Sequence, residues 1–404
     1  MGRWPRSLRA LLAAEVISTT GSQMTWLALP WFVLVTTGSA KQMSFVIGAE
    51  AAGYAIFGIP SGTFLTRLGS RTTMRLCDAL RAPLMLLVPI LYWTGALSLA
   101  ALLPLTFALG AVGSPYGAAQ RTIVPELLGE DEALIARTSA LFQGATRVTM
   151  LTGPAVAGVL IGLVGAASVL VIDAASFLVA FLLVTVLVPR TPSPGDRQGG
   201  EGAGGVLEGV RFVLRDPLLR AWTLAIVVGD AAWQVVFVGV PVLVVAHFDA
   251  DPRLAGALLA SWGVGAVAGN VAAYRIARAN GLRVAAVGVL VQAAPLWVVP
   301  LPVPAILVAV AFAVSGIANG VANPTLHAML TLRPPAAVRA KVVTAIFTGS
   351  SLGAPAALAL AGPAFSGLGV RHVLAIAAAA QSLAMLAAAT ATLRHVRNEA
   401  AVTA

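Results

Sequence analysis

Residues Gly62 to Arg81 read GTFLTRLGSRTTMRLCDALR, and they lie between two long apolar segments. The stretch contains four arginines, two glycines and one aspartate, whereas the residues on either side are mostly hydrophobic. Cytoplasmic loops of membrane proteins carry an excess of Lys and Arg. The stretch therefore predicts a short cytoplasmic connection between two transmembrane helices, and the rest of the chain can be searched for the same pattern.

The composition of the whole chain is that of a membrane protein. Of its 404 residues, 58% are hydrophobic and only 10% are charged, and the mean hydropathy is +0.90. Soluble proteins carry about 25% charged residues. The net charge of +10 could indicate binding to nucleic acid, but the arginines are confined to short segments between apolar runs, as membrane topology requires. We therefore expect a protein embedded in the lipid bilayer, with no nucleic-acid partner.

The sequence lacks the motifs of enzymatic chemistry. Cys77 is the single cysteine, which excludes an internal disulfide and a cysteine metal cluster. No glycine-rich loop followed by Lys and Ser or Thr is present to bind the phosphates of ATP, and no Ser-His-Asp arrangement is recognisable. The sequence predicts a protein that is not an enzyme and that needs no cofactor or metal.

Twelve apolar runs are long enough to cross the hydrocarbon core of a membrane, which takes about 20 residues. The first run is longer than the roughly 7–15 apolar residues of a signal peptide, so we expect it to remain as a helix. The predicted helices cover residues 8–36, 43–66, 73–95, 97–119, 134–163, 166–189, 219–246, 254–279, 282–300, 303–330, 339–366 and 370–393.

Lysine and arginine residues alternate between the two sides of these predicted helices. With the N-terminus in the cytoplasm, 22 of the 26 cations fall in cytoplasmic segments, and Lys41, Arg253 and Arg371 fall in outer ones. The remaining cation, Arg147, lies inside the fifth predicted helix. Such a bias follows from the retention of basic loops in the cytoplasm, and it predicts a multi-pass protein with cytoplasmic N- and C-termini.

One long polar stretch divides the chain. Residues 190–205 read RTPSPGDRQGGEGAGG, a composition typical of a flexible linker. Residues 206–219 then alternate apolar and charged side chains at helical spacing, which predicts a short amphipathic helix on the inner membrane surface. The predicted organisation is an N-terminal bundle over 1–189, a cytoplasmic linker with its short helix over 190–218, and a C-terminal bundle over 219–404.

Similarity between the two halves indicates an internal duplication. Residues 140–144 (ALFQG) match residues 345–349 (AIFTG) at an offset of 205, and Gly113 matches Gly316 at an offset of 203. Two matches at nearly one offset are what a repeated six-helix unit would give. The predicted fold is an all-α membrane protein with 12 transmembrane helices in two pseudo-symmetric six-helix bundles.

Two six-helix halves, a cytoplasmic middle linker and a basic turn after the second helix together resemble the major facilitator superfamily. The loop motif of that family is matched by Gly62, Arg67, Gly69 and Arg71, whereas Thr66 stands where the family usually has an aspartate. The resemblance implies that this loop forms a cytoplasmic gate.

Asp78 and Arg81 follow this motif and lie one helical turn apart. A pair of opposite charges at this spacing can interact along a helix. The pair could take the place of the acid that is missing at Thr66, so we include both residues in the predicted gate. The alternative is a gate that closes more weakly.

A second resemblance lies in the fifth predicted helix. Gly144, Gly153, Pro154 and Gly158 are similar to the glycine-proline motif of family members that work as antiporters. Residues 173–177 (DAASF) resemble bacterial drug and siderophore exporters of the same superfamily. The resemblance implies export of a small molecule in exchange for protons, across the inner membrane of a bacterium.

Ionisable side chains inside membrane spans are costly, so they are candidates for function. Asp230 lies about 11 residues into the seventh predicted helix, roughly 16 Å deep at 1.5 Å per residue. Glu15 in the first helix lies roughly 10 Å from the inner side, and Glu50 lies at a similar depth from the outer side. We predict that these three carboxyl groups couple transport to protons. The alternative is a structural hydrogen bond or ion pair between helices.

Arg147 is a cation near the middle of the fifth predicted helix. An unpaired cation at that depth is expensive, so it should find a carboxylate. We predict an intramembrane charge pair with Glu15, because the first and fifth helices are neighbours in the fold that the resemblance implies. The pair could bind protons or an anionic substrate, or it could be purely structural.

Polar and aromatic side chains on the central helices suit the binding of amphiphilic compounds, since few fixed polar partners give loose specificity. Packing and contact with the membrane interface are the alternative roles for such residues. The predicted substrate cavity contains Gln23, Trp26, Tyr116, Trp233, Gln234, Phe312, Asn319 and Asn323.

These features together predict a secondary transporter that acts as a monomer. The two bundles would rock about one central site, and the proton gradient would drive export of a drug, secondary metabolite or siderophore. Two alternatives remain open. One is proton-coupled uptake of a small solute, and the other is a membrane sensor that has this fold but transports nothing.

Overall fold

The computed structural model describes residues 6–58, 60–128, 132–189, 203–276 and 281–403. Within these ranges the structure contains helices and no strands, so the predicted all-α class is confirmed. The chain divides into two compact units, Met1–Gly200 and Glu201–Ala404.

Among the residues that the structure describes, seven helices belong to the first unit and seven to the second. The first seven are α1 (Arg6–Thr37), α2 (Ala40–Gly58), α3 (Ser61–Leu68), α4 (Ser70–Trp93), α5 (Leu99–Leu128), α6 (Glu132–Val164) and α7 (Ala166–Leu187). The second seven are α8 (Ala203–Arg215), α9 (Pro217–His247), α10 (Pro252–Ile276), α11 (Gly281–Ala293), α12 (Ala305–Leu332), α13 (Ala336–Leu368) and α14 (Val370–Thr403).

Each of the twelve predicted runs coincides with one helix or with two consecutive helical segments. Among the described residues, nine helices are long and apolar enough to cross a membrane, and a tenth span results if α2 and α3 count together. The 13-residue α11 is continued by a 3₁₀ segment over Ala294–Val298. The α1 helix has 32 residues, which exceeds the length that one crossing requires.

The helix that follows the polar stretch begins three residues earlier than predicted. Residues 190–202 of the predicted linker lie outside the described residues, and residues 203–205 already belong to α8. This helix is the predicted amphipathic segment, and it ends at Arg215. It packs against α13, where Lys341 Nζ lies 2.9 Å from Glu208 Oε2.

Glycines allow one helix pair in each unit to approach at backbone distance. In the first unit, a Cβ atom on Gly110 of α5 would collide with the backbone carbonyl of Glu50 on α2. In the second unit, a Cβ atom on Gly316 of α12 would collide with the carbonyl of Trp262 on α10. Small residues at such contacts favour packing between membrane helices, because lipid offers no hydrophobic drive for association.

These contacts change the alignment of the two halves. Gly110 and Gly316 occupy matching places and are 206 positions apart, close to the offset of 205 between residues 140–144 and 345–349. The sequence comparison paired Gly316 with Gly113 instead. A Cβ atom on Gly113 would meet only the ring of Tyr54, at 3.7 Å, so Gly110 is the better counterpart.

Substitution of the contact glycines is expected to destabilise the protein. Gly110→Ala and Gly316→Ala each place a methyl group against a carbonyl of the facing helix, and overpacking of this kind costs about 1–3 kcal/mol. Both variants should therefore unfold at a lower temperature than the wild type in detergent. Gly144→Ala is the matched control, because a Cβ atom there meets no neighbour within 4 Å. Equal melting temperatures for all three variants would contradict the contact.

Candidate functional site

Buried polar side chains from four helices form a cluster inside the N-terminal unit. Glu15 of α1 is 1% exposed, and Asp78 of α4 and Asp173 of α7 are both 0% exposed. Tyr116 of α5 is also buried, with its ring in the apolar core of the unit. Buried charges are stable only when they are paired, hydrogen-bonded or neutralised by protons, so the partners of each group decide what the cluster can do.

The carboxylate of Glu15 is bound by three donors. Thr19 Oγ1, one turn along α1, donates a hydrogen bond of 2.7 Å to Oε1. From α5, the Tyr116 hydroxyl donates to Oε2 at 3.4 Å, and Gln120 Nε2 donates to Oε1. Glu15 therefore links α1 to one face of α5.

Arg81 of α4 is the cation of this cluster. Its Nη2 donates a hydrogen bond of 3.1 Å to the Ser22 hydroxyl of α1. Its guanidinium carbon lies 4.0 Å from the ring centre of Phe177 and 5.4 Å from that of Tyr116. Cations bind favourably over aromatic faces at such distances, so the two rings hold the guanidinium in place.

The charge of Arg81 acts on the four carboxyl groups of the cluster. Electrostatic interactions join it to Glu15, Glu50, Asp78 and Asp173. Glu50 of α2 is half-buried, whereas the other three acids are fully enclosed. One guanidinium therefore balances more than one acid.

The two aspartates of the cluster differ in their hydrogen bonds. Asp173 accepts a hydrogen bond of 2.6 Å from Thr25 Oγ1 and one of 3.2 Å from Ser176 Oγ. Neither carboxyl oxygen of Asp78 has a hydrogen-bond partner among the residues that the structure describes. Asp78 is consequently the acid of this cluster with the strongest need for neutralisation.

The predicted pair of Arg147 and Glu15 is not formed. Arg147 is exposed on α6, whereas Glu15 is buried and held by partners from α1 and α5. The α1 and α6 helices do pack against each other, as the sequence argument required. The two side chains lie on faces that do not meet, and the cation that acts on Glu15 is Arg81.

The basic loop is held by an acid that the sequence analysis did not select. Glu126, near the end of α5, accepts a hydrogen bond of 3.2 Å from the backbone nitrogen of Ser70 and one of 2.6 Å from its hydroxyl. Ser70 is the first residue of α4, whose preceding residue, Gly69, has φ 73°. A carboxylate at this place satisfies free N–H groups and the positive end of the helix dipole.

Arg71 anchors the other side of the same turn. Its Nε donates to the carbonyl of Val188 at 2.7 Å, and its Nη2 donates to the carbonyl of Thr185 at 2.8 Å. Both acceptors lie at the end of α7, where carbonyl groups lack partners within the helix. Arg67 is exposed, and a Cβ atom on Gly62 would meet no neighbour.

Asp78 lies in the buried cluster, whereas Thr66 lies in the exposed loop. Thr66 is exposed and donates a hydrogen bond of 3.0 Å to the carbonyl of Thr63. Asp78 and Arg81 lie two to three turns into α4, inside the buried cluster, and no hydrogen bond joins them. The predicted gate residues therefore divide into a loop group and a cluster group, and Glu126 is the acid beside the loop.

Asp230 of the C-terminal unit is exposed on α9 rather than buried. Its Oδ2 accepts a hydrogen bond from the hydroxyl of Ser350 on α13. His327 of α12 interacts with it electrostatically, and the His327 ring stacks on Phe347 with centroids 6.4 Å apart. Asp230 thus connects three helices of this unit.

The other predicted cavity residues of the C-terminal unit form two groups. Trp233 lies between Trp262 and Phe312, at centroid distances of 4.9 and 6.1 Å. Asn319 Nδ2 donates to Gln292 Oε1 at 3.3 Å, and Asn323 Nδ2 donates to Asn319 Oδ1 at 3.5 Å. Phe312 is fully buried, and Gln234 is half-buried.

In the N-terminal unit, the predicted cavity residues differ in exposure. Trp26 is 46% exposed and Tyr116 is buried. Gln23 packs against Gly153 of α6, where a Cβ atom would clash, so this glycine of the antiporter-like motif allows close approach of α1 and α6. The α6 helix is continuous through Pro154.

Residues 11–358 match the family model of the Major Facilitator Superfamily. The chain belongs to the Major Facilitator Superfamily. It is therefore a multi-pass membrane transporter of small molecules, built on the major facilitator fold.

Relatives within the superfamily include drug exporters. The chain is 26% identical over 366 residues to the multidrug efflux pump Tap of Mycolicibacterium fortuitum, with 88% of each chain covered. It is 26% identical over 369 residues to Tap of Mycobacterium tuberculosis, which covers 87% of this chain and 85% of that one. A crystal structure of a mutant nucleoside transporter NupG superposes with a TM-score of 0.78 at 13% identity, over 95% of this chain and 99% of that one.

Several residues of the site in this superfamily member carried little sequence signal. Glu126 lies 56 positions from its partner Ser70, so no local motif could connect them. Gln120 could be recognised from the sequence as a polar residue in a glycine-rich helix. Asp173 and Ser176 could be recognised as possible partners, because their spacing fits one helical turn. Among the described residues, no group of His, Cys, Asp and Glu is arranged to hold a metal ion.

Loss of the Arg81 charge is expected to destabilise the protein. Arg81→Gln leaves the buried acids without the cation that acts on them, and buried charge without compensation is costly. The melting temperature in detergent should therefore fall strongly. Arg147→Gln removes the same charge from an exposed site and should leave the melting temperature nearly unchanged. The opposite ranking of the two variants would restore Arg147 as the structural cation.

Glu126 and Thr66 provide a separate test of the loop. Glu126→Ala removes the carboxylate at the start of α4, and loss of such a cap costs about 1 kcal/mol. Thr66→Ala removes an exposed hydroxyl that bonds only within its own helix, so its effect should be close to zero. Thermal unfolding of the two purified variants measures the difference. An equal loss in both variants would contradict the role of Glu126.

Proposed function

We propose that this transporter exports small amphiphilic compounds from the cell in exchange for protons. Two observations support the proposal. The curated relatives named above are multidrug efflux pumps, and carboxyl groups lie within membrane-spanning helices of both units.

The observation that carries proton coupling is the ratio of acids to cations in the buried cluster. Glu15, Asp78 and Asp173 are all buried, and Arg81 is the cation that acts on them. Three carboxylates and one guanidinium would leave two uncompensated negative charges, which is expensive away from water. Protons are the simplest means of neutralising the excess, so the cluster is suited to take up and release them.

Glu15 offers a way for a proton to affect helix contacts. In the ionised state, its carboxylate can accept the hydrogen bonds from Thr19, Tyr116 and Gln120. After protonation, one carboxyl oxygen carries a hydrogen and becomes a donor, so the hydrogen bond between Tyr116 and Oε2 can reverse its direction. Two of the donors belong to α5, so uptake of a proton would alter the contact between α1 and α5.

Asp230 is the proposed second proton-coupling residue, and Glu50 is the third. Asp230 is exposed and can exchange a proton directly with water or with a bound compound, while Ser350 holds its carboxylate in place. The ring of Trp26 and the amide of Gln234 are surfaces suited to an amphiphilic compound. Alternating access would then move the compound outward as protons move inward.

The proposed location is the inner membrane of a bacterium, with both termini in the cytoplasm and the chain acting as a monomer. The distribution of arginines between the predicted inner and outer segments supports this orientation.

Transport in proteoliposomes tests the proposal directly. Purified transporter is placed in vesicles with an acidic interior. These vesicles should accumulate a fluorescent amphiphilic cation such as ethidium, because protons that leave the vesicle would be exchanged for dye that enters. Asp230→Asn and Glu15→Gln should each reduce the initial rate at least about tenfold, since a missing proton site removes a step of the cycle. Dye fluorescence over time gives the rate.

Asp249→Asn is the matched control, because Asp249 is an exposed aspartate in the turn after α9. It should transport at the wild-type rate. A pH dye enclosed in the vesicles gives the direction of proton movement during substrate flux. Protons that move with the substrate would establish uptake by symport instead. No flux of any tested amphiphile, or wild-type rates in both acid variants, would refute proton-coupled export.

A further inference from the structure

A cavity of about 810 Å³ lies between the start of α9 and the middle of α14. Four basic side chains line one end of it, and alanine and leucine side chains make up most of the remainder. The basic residues are Arg220, Arg333, Arg394 and His395. The start of α9, the end of α12 and residues 394–395 of α14 therefore contribute cations to one place in the C-terminal unit.

The apolar part of the cavity has the length of a lipid chain. Leu224 of α9 is 60% exposed, and Leu383 of α14 is 68% exposed. The apolar lining on α14 runs from Ala380 to Ala391, about 17 Å at 1.5 Å per residue, and one leaflet contributes about 15 Å of hydrocarbon. Space between the helices is provided by the small side chains of Ala380, Ala384, Ala387 and Ala391.

One of the arginines is already neutralised. Arg333 Nε lies 2.7 Å from Asp216 Oδ2, and Arg333 Nη1 lies 3.0 Å from His395 Nε2. Partial burial tends to raise the pKa of Asp216, but hydrogen bonds from Leu219 and Arg333 outweigh it and hold that pKa below its ordinary value. Asp216 is therefore ionised, and it balances the charge of Arg333.

The two other arginines are left to attract an anion. Arg220 Nη1 donates to the carbonyl of Leu214 at 3.2 Å, which does not cancel its charge. Arg394 is exposed, and no hydrogen bond or ion pair joins it to another residue of the described ranges. Three guanidinium groups and one carboxylate leave an excess of two positive charges at the end of an apolar cavity.

We propose that this cavity binds an anionic phospholipid, with the phosphate at Arg220 and Arg394 and one acyl chain along the apolar wall of α9 and α14. Basic pockets between membrane helices are suited to lipid headgroups. A soluble anion would use only the cations and would leave the apolar wall uncovered. The proposal does not depend on which compound is transported or on proton coupling.

Native mass spectrometry of the purified full chain can test lipid binding. The protein in detergent is mixed with phosphatidylglycerol or with phosphatidylcholine of the same acyl chains, and the retained lipid is counted. We expect retention of phosphatidylglycerol at least about tenfold above phosphatidylcholine. Arg220→Gln and Arg394→Gln should each lower the retention of phosphatidylglycerol about fivefold. This factor corresponds to the attraction of roughly 1 kcal/mol that each basic residue exerts on an anionic lipid.

Two further variants test separately how the positive charges and the apolar cavity contribute to lipid retention. Arg283→Gln is the matched control, because Arg283 is an exposed arginine of the same unit outside the cavity lining. It should retain lipid as the wild type does. Ala387→Phe fills the apolar part and should lower retention without a change of charge. Its melting temperature shows whether it folds, and the two arginine variants test the site independently.

Three results would overturn the proposal. The first is equal retention of the two lipids by the wild type. The second is equal retention of phosphatidylglycerol by Arg220→Gln, Arg394→Gln and Arg283→Gln. The third is complete displacement of the lipid by millimolar glycerol phosphate, which lacks acyl chains, since this would identify the site as one for a soluble phosphate.

Discussion

The guanidinium of Arg81 is the interaction on which the interior of the N-terminal unit depends. It is held by two aromatic rings and by Ser22, and it is the cation that acts on every acid of the cluster. Charges of this kind interact more strongly in a membrane protein than in water, because the surroundings have a low dielectric constant. The balance between this one cation and its acids therefore decides how much buried negative charge is left without a cationic partner in this unit.

The order and class of the helices could be predicted from the sequence, whereas the partners of the buried charges could not. An apolar run of about 20 residues has few alternatives to a transmembrane helix, since every backbone group in lipid must be paired within its own segment. A charge pair also requires that the two side chains face each other. Each residue turns a helix by about 100°, so the packing of two helices does not by itself bring two given side chains together. The neighbouring helices of Glu15 and Arg147 were predicted correctly, yet the two side chains lie on faces that do not meet.

The basic loop shows why a linear motif can mislead. The start of α4 needs an acceptor for its free N–H groups, but the chain can supply that acceptor from any segment that reaches the place. Here the acid is Glu126 at the end of α5, far away in sequence. The absence of an acid at Thr66 therefore says little about the stability of this turn.

The backbone contact between α2 and α5 has a mechanical consequence. Helices that touch through a glycine and a carbonyl have little freedom to slide, whereas helices joined by side chains can shift through changes of rotamer. Gly110 lies against the carbonyl of Glu50 itself, so the backbone that carries this acid belongs to the stiffest part of the unit. A change in the separation between the backbones of Glu50 and Arg81 is therefore expected to come from movement of α4 rather than from sliding of α2 against α5. The close contact at Gly110 thus ties the backbone of Glu50 to α5.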